Sequence, residues 1–361
     1  MHLLQSNGSV VTWGDAAYGR NSSAVAPLLT EGVVQVCGNQ HAFAAIRANG
    51  SVVTWGDAAC GGNSSAVAAL LTEGVVQVCG NDFAFAAIKA NGCVVTWGDA
   101  DEGGNSSEVA ALLTEGVVQV CGNDFAFAAI KADGKVVTWG RASFGGSSSE
   151  VAPLLTTLSK SANGSEVTWG DAAYGGNSSE VAPLLTEGVV QVRGNQHAFA
   201  AIKANGSVVT WGDADEGGNS SAVAALLTEG IVQVCGNDFA FAAIKANGSV
   251  VTWGHEAFDG SSSAVAPLLT EGVVQVSGTN IAFAAIKANG SVVTWGDVDY
   301  GGNSSEVAAL LTEGVVQVCG NDFAFAAIKA NGSVVTWGNA DEGGNSSEVA
   351  ALLTEGVVQV C

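Results

Sequence analysis

Positive charge is scarce in this chain. Only 12 Lys and Arg stand against 34 Asp and Glu among 361 residues, a formal net charge of -22. Phosphate backbones and anionic lipid heads are held by clustered Lys and Arg that displace counterions, so nucleic acid and membrane surfaces are disfavoured as partners. Proline is rare, with 4 residues, and charged residues make up 13% of the chain against 48% hydrophobic. Disordered chains have the opposite balance, so a packed core is expected. No apolar run approaches the roughly 18 residues of a spanning helix, and the stretch from Met1 to Asn7 lacks a basic segment leading into an apolar one. A soluble cytoplasmic protein is the expectation, with the nucleus as the alternative.

No Cys-x-x-Cys pair occurs, which argues against a structural zinc site. Six of the eight cysteines, Cys37, Cys79, Cys121, Cys235, Cys319 and Cys361, occupy one position of a repeat, where Arg193 and Ser277 stand in other copies. Equivalent positions of successive units lie too far apart for a disulfide, whose Cα atoms must come within about 7 Å, so the thiols are expected to be free packing residues.

What the chain has in abundance is itself. Val-Thr-Trp-Gly recurs with its Trp at 13, 55, 97, 139, 169, 211, 253, 295 and 337, and seven of the eight intervals are 42 residues. The interval from Trp139 to Trp169 is 30, because the segment after Leu155 lacks the Gly-Val-Val-Gln-Val element. Residues 1–361 therefore form one tandem array, a single repeat domain with a shortened unit at 140–170. Within a unit, strand-length apolar runs are bounded by turn residues. Asn or Asp followed by Gly stands six residues before every Trp, which predicts a two-residue type I′ hairpin there. The segment Ser-Ser-Glu-Val-Ala-Ala-Leu-Leu has helix propensity, but Pro27, Pro153, Pro183 and Pro267 interrupt its equivalents, so a short outer strand is expected, making four strands per unit. The small residues of Phe-Ala-Ala-Ile suit a strand near a narrow axis, and Trp and Leu-Leu suit the space between blades.

The unit Val-x-x-Val-x-x-Gly, a strand with Ala-x-x, then Asn-Gly-x-Val-x-x-Trp-Gly and a Gly-Gly loop resembles the repeat of the regulator of chromosome condensation family over essentially the whole chain. The resemblance implies an all-β fold, a β-propeller of four-stranded blades closed by strands from the two chain ends. Nine Trp-Gly elements against the family's usual seven blades leave two readings, a ring of seven to eight blades with one defective near 150–165, or a fragment of a longer array; a compact ring would have a radius of gyration of about 21 Å. The family's Gly-x-x-His survives only at Gly38 to His41 and Gly194 to His197, which weakens the transfer of any specific activity.

The loop after each Trp-Gly varies most, as in Asp99-Ala-Asp-Glu102, His255-Glu-Ala-Phe258 and Asp297-Val-Asp-Tyr300. Variation confined to one loop of a fixed unit is how a scaffold presents different side chains on a rim. The candidate binding residues are Asp15, Tyr18, Asp99, Asp101, Glu102, Phe144, Tyr174, Asp213, Asp215, Glu216, Phe258, Asp297 and Tyr300, a mixture of aromatic anchors and carboxylates suited to protein contacts. The spacing of Asp99 and Asp101 matches no complete calcium loop, and a uniform array singles out no acid–base pair. Neither His41 nor His197 belongs to a recognisable triad; both stand where other copies use Phe, and packing explains them. The expectation is a non-catalytic protein-interaction scaffold with no cofactor. The alternatives that the resemblance brings are nucleotide exchange on a small GTPase, or the substrate-adaptor part of a HECT-type ubiquitin ligase. A small GTPase or a ubiquitin-pathway protein would then be the partner.

Overall fold

In the computed structural model of the protein, residues 2–13, 21–132, 136–141, 184–185, 188–258 and 262–360 are described. The chain divides into two compact bodies, with the described residues up to 141 in the first and those from 184 in the second. The shortened unit beyond Arg141, with Pro153, and Pro183 after it lie outside the described residues.

One repeat shows how the pattern becomes a sheet. Val75–Gly80 pairs antiparallel with Ala84–Lys89, which pairs in turn with Val94–Gly98. The same three-strand order recurs around the central strands Ala42–Arg47 and Ala126–Lys131 in the first body, and Ala198–Lys203, Ala240–Lys245, Ala282–Lys287 and Ala324–Lys329 in the second. This all-β series of blade-like sheets is the pattern of a multi-blade β-propeller.

Three expectations are corrected. First, the sheets have three strands, because the expected fourth is a 3-10 helix, as in Ser107–Leu112 and in Ser23–Leu28 with Pro27 inside it. Six residues are too few to nucleate a stable α-helix, whereas 3-10 winding rises about 2.0 Å per residue and carries the chain further back along the sheet. Second, the Asn-Gly hairpin is a three-residue loop. The Gly92 N–H donates to the Lys89 carbonyl and the Lys89 N–H to the Cys93 carbonyl, with Gly92 at φ +75°. Asn91 takes the Cys93 N–H on its Oδ1, so only the glycine has to supply the left-handed residue. Third, the Phe-Ala-Ala-Ile strand is central in its sheet. Its alanines are small because both faces are covered, and Ala84, Ala86 and Ala87 are fully buried. It is the end of the first strand that approaches its neighbour, a Cβ on Gly80 falling 3.3 Å from the Gly38 carbonyl oxygen.

The core lies between repeats. Ala42, Ala44 and Ile46 of one repeat pack with Val78, Phe85 and Trp97 of the next. The Trp97 ring stacks on Phe85 at 5.4 Å, and its indole N–H donates to the carbonyl of Gly61 in the preceding repeat. Trp fills the space between blades, as the sequence suggests. Of each Leu-Leu pair only the second does so, since Leu71 is buried and Leu70 exposed.

Cys60, Cys79, Cys93, Cys121 and Cys235 are free thiols. Burial pushes the Cys79 thiol up to about 11, against a smaller lowering by the backbone N–H of Gly122. Cys235 is also raised to about 11 by burial, with the Gly278 backbone opposing. Thiolate is the reactive form, so iodoacetamide at neutral pH should label exposed Cys121 faster than Cys79 and Cys235 by on the order of tenfold or more. Equal rates, followed by peptide mass spectrometry, would contradict the packing of these thiols.

Candidate functional site

The three strands and the 3-10 segment give every repeat two ends. At the hairpin end lie Asn-Gly and the crossing to the next repeat. At the loop end lie the turn after the first strand, 81–83, and the loop after the third, 99–105. All described candidate residues fall at loop ends. Asp15, Tyr18, Phe144 and Tyr174 lie outside the described residues.

Five described loops start with a side-chain cap, from Asp57, Asp99, Asp213, Asp297 and Asn339. Asp99 Oδ1 accepts from the Asp101 N–H at 2.9 Å, and Asp213 and Asp297 do the same for Asp215 and Asp299. This Asx turn commits one carboxylate oxygen to the backbone and leaves Asp101, Asp215 and Asp299 exposed. The fourth loop residue turns inward. Glu102 is only 5% exposed and pairs with Arg141, the first loop residue of the next repeat. Phe258 packs tilted against Phe239 at 4.8 Å between ring centroids and Tyr300 against Phe323 at 5.3 Å, both half-buried.

A residue the sequence reading missed holds each loop in place. Asn81 is buried, accepts from the N–H groups of Phe83 and Ala84, and donates from Nδ2 to the Glu102 carbonyl. Asn195, Asn237 and Asn321 repeat the bond to Glu216, Phe258 and Glu342. Thr279 replaces it with one hydroxyl, donated to the Tyr300 carbonyl. The aromatic residues at the turn pack as expected for His41 and His197, and they stack from repeat to repeat: His41 on Phe83, Phe83 on Phe125 and His197 on Phe239, at 5.6–5.9 Å. His41 and His197 therefore pack as Phe does. Asp82 and Asp124 stand beside these rings, and the Asp82 N–H donates to the Asp124 carbonyl.

Electrostatics set the two ends apart. The loop ends hold Asp82, Asp99, Asp101, Asp124, Asp213, Asp215, Asp238, Asp299, Asp322 and Asp341. Arg141 is the one Lys or Arg among the described loops. At the hairpin ends the Thr-Glu-Gly carboxylates Glu73, Glu115, Glu229, Glu271 and Glu313 each have a Lys at the end of the following central strand, Lys89, Lys131, Lys245, Lys287 and Lys329, and Glu31 has Arg47.

Glu216 is the fourth loop residue of its repeat. Burial raises its carboxyl above the ordinary 4.5; His255 and His197 draw it back, and Asp213 and Asp215 push it up. A folded pKa above the unfolded one means that the fold favours the protonated form. The stabilisation is complete below about pH 4.5 and is lost as pH rises through the folded value. Glu216→Gln, neutral at every pH, should therefore melt above the parent at pH 7, with the difference vanishing below pH 4.5. A lower melting temperature at pH 7 would show that the ionised form is stabilising.

No protein-family model and no curated protein matches this sequence. Among solved structures, the chain is similar to Prp20p from Saccharomyces cerevisiae, described with its binding to Gsp1p and histones, at 13% identity and TM-score 0.42, over 74% of this chain and 72% of that one. It is similar to human WBSCR16 at 15% identity and TM-score 0.44, over 79% and 82%. It is similar to the C-terminal domain of gp131 from bacteriophage phiKZ at 10% identity and TM-score 0.45, over 91% and 97%. At these scores the fold assignment rests on the repeated sheets themselves.

Proposed function

We propose that the loop ends form a non-catalytic docking surface for a cationic segment of a partner protein. The observation that carries this reading is the separation of charge within each body: exposed Asp101 with half-buried Asp82 and Asp124 at the loop ends of the first, exposed Asp215 and Asp299 at those of the second, while the described lysines and Arg47 stand at the hairpin ends and Arg141 is the one cation in the described loops. Half-buried Phe83 and Phe125 add aromatic area between the carboxylates, the combination that anchors protein partners. The Asn81-type bonds and the Asx turns hold the loops fixed before binding, which lowers the ordering cost of association.

The test is fluorescence anisotropy with a labelled peptide alternating Arg and Ala. Asp82→Asn, Asp99→Asn, Asp101→Asn and Asp124→Asn combined should weaken binding on the order of tenfold, since exposed pairs contribute about 0.2–1 kcal/mol each. Glu31→Gln, Glu73→Gln, Glu115→Gln and Glu271→Gln combined remove the same charge from the hairpin ends and should leave affinity unchanged. Equal losses in both would mean that net charge alone attracts the peptide. Affinity capture with the same two variants then identifies the carrier of such a segment, a small GTPase or a ubiquitin-pathway protein included.

A further inference from the structure

The hairpin ends carry a second surface, independent of the loop-end reading. Leu70 and Val76 flank the crossing between repeats and are 52% and 58% exposed, and the pairs Leu112 with Val118 and Leu268 with Val274 match them. Within each body, exposed apolar pairs at a fixed place in successive repeats, as at Leu70 with Val76 and Leu112 with Val118, are a patch, not scatter. Their exposure is built in. The pairing register jumps between Val75 and Gln77, so the bulge turns Val76 out of the sheet. Lys89 lies across the crossing, its Nζ donating to the Leu70 carbonyl at 2.9 Å and its Cε 3.6 Å from where a Gly74 Cβ would be, with exposed Glu73 beside it.

We infer that the hairpin ends dock onto a second copy of this chain. The hairpin ends at Glu73, Glu115, Glu271 and Glu313 each carry one carboxylate and one ammonium, so the patch there is locally neutral and self-complementary, Glu to Lys and Leu or Val to Leu or Val, as a two-fold interface requires. Two chains of net charge -22 repel each other through their acidic loop ends, and the neutral apolar ends are where copies can meet. A cationic partner is drawn to the loop ends instead.

Sedimentation equilibrium of the full chain over about 1–100 µM tests this. The apparent mass should rise from 35.9 kDa toward twice that value, more readily at about 0.5 M salt than at 0.05 M, because salt screens the repulsion and spares apolar contact. Leu70→Glu, Leu112→Glu, Leu268→Glu and Leu310→Glu combined should hold the chain at 35.9 kDa. The set Val76→Thr, Val118→Thr, Val274→Thr and Val316→Thr keeps the β-branched shape of the bulge and should do the same, with unchanged circular dichroism. A monomeric parent over the whole range, or association undiminished in both folded variants, would overturn the inference.

Discussion

Trp97→Ala should destabilise the first body by about 3–5 kcal/mol, the range for deleting a large aromatic from a packed core. The Trp97 side chain is 3% exposed and stacks on Phe85, which is fully buried. It packs among side chains of its own repeat and of the preceding one, Ala42, Ala44 and Ile46 included. Alanine leaves a cavity that rigid strands on both sides cannot close, and it strands the Gly61 carbonyl that accepts the indole N–H. The energy belongs to the interface between two repeats, so neighbours should weaken together, as in a nearest-neighbour array. Urea unfolding followed by hydrogen exchange should show loss of protection across 42–98 in concert. Loss confined to 94–98 would mean that each sheet stands alone.

Gly290→Ala should cost about 2–4 kcal/mol, although it adds only a methyl group. The residue sits at φ +76°, and its Cβ would lie 2.5 Å from the Gly314 backbone nitrogen. Left-handed backbone costs a non-glycine residue about 1–2 kcal/mol. Relieving the clash must also move the crossing, whose Val315 N–H donates to the Gly290 carbonyl at 3.0 Å, a bond whose net contribution is about 1 kcal/mol. Gly314 provides the control. It has the same φ of +76°, but a Cβ there meets only the flexible Lys329 Cε at 3.5 Å, so Gly314→Ala should pay for strain alone. Thermal melts of the two variants should rank Gly290→Ala well below Gly314→Ala. Equal losses would mean that the close approach between repeats contributes nothing.

The strands were legible because β-branched runs such as Val75–Gly80 are bounded by turn residues, and the repeat makes every boundary visible many times over. The 3-10 segments were not. Pro27 excludes an α-helix by its missing N–H, but that argument does not separate a strand from a tighter helix, and the distance the chain must travel back decides. At the loop ends, sequence variation located the candidate loops but not the direction of each side chain. Glu102 and Arg141 stand 39 positions apart, the spacing from the fourth loop residue of one repeat to the first of the next. Reading the loops diagonally would have paired them, and would have set Glu216 against His255. Asn81 was hidden for the opposite reason. A residue constant in most copies looks like turn chemistry until its Nδ2 is seen to hold the variable loop.

The most direct test of loop-end docking is zero-length carbodiimide coupling of a bound Lys-rich peptide to the chain, with the modified carboxylates mapped by mass spectrometry. Near-identity of the repeats does no harm, because loop-end and hairpin-end carboxylates occupy different places in every copy. Coupling concentrated on Asp82, Asp99, Asp101 and Asp299 is the predicted result. Coupling spread equally over Glu73, Glu115 and Glu271 would contradict it, and would leave net charge as the only reason the peptide binds.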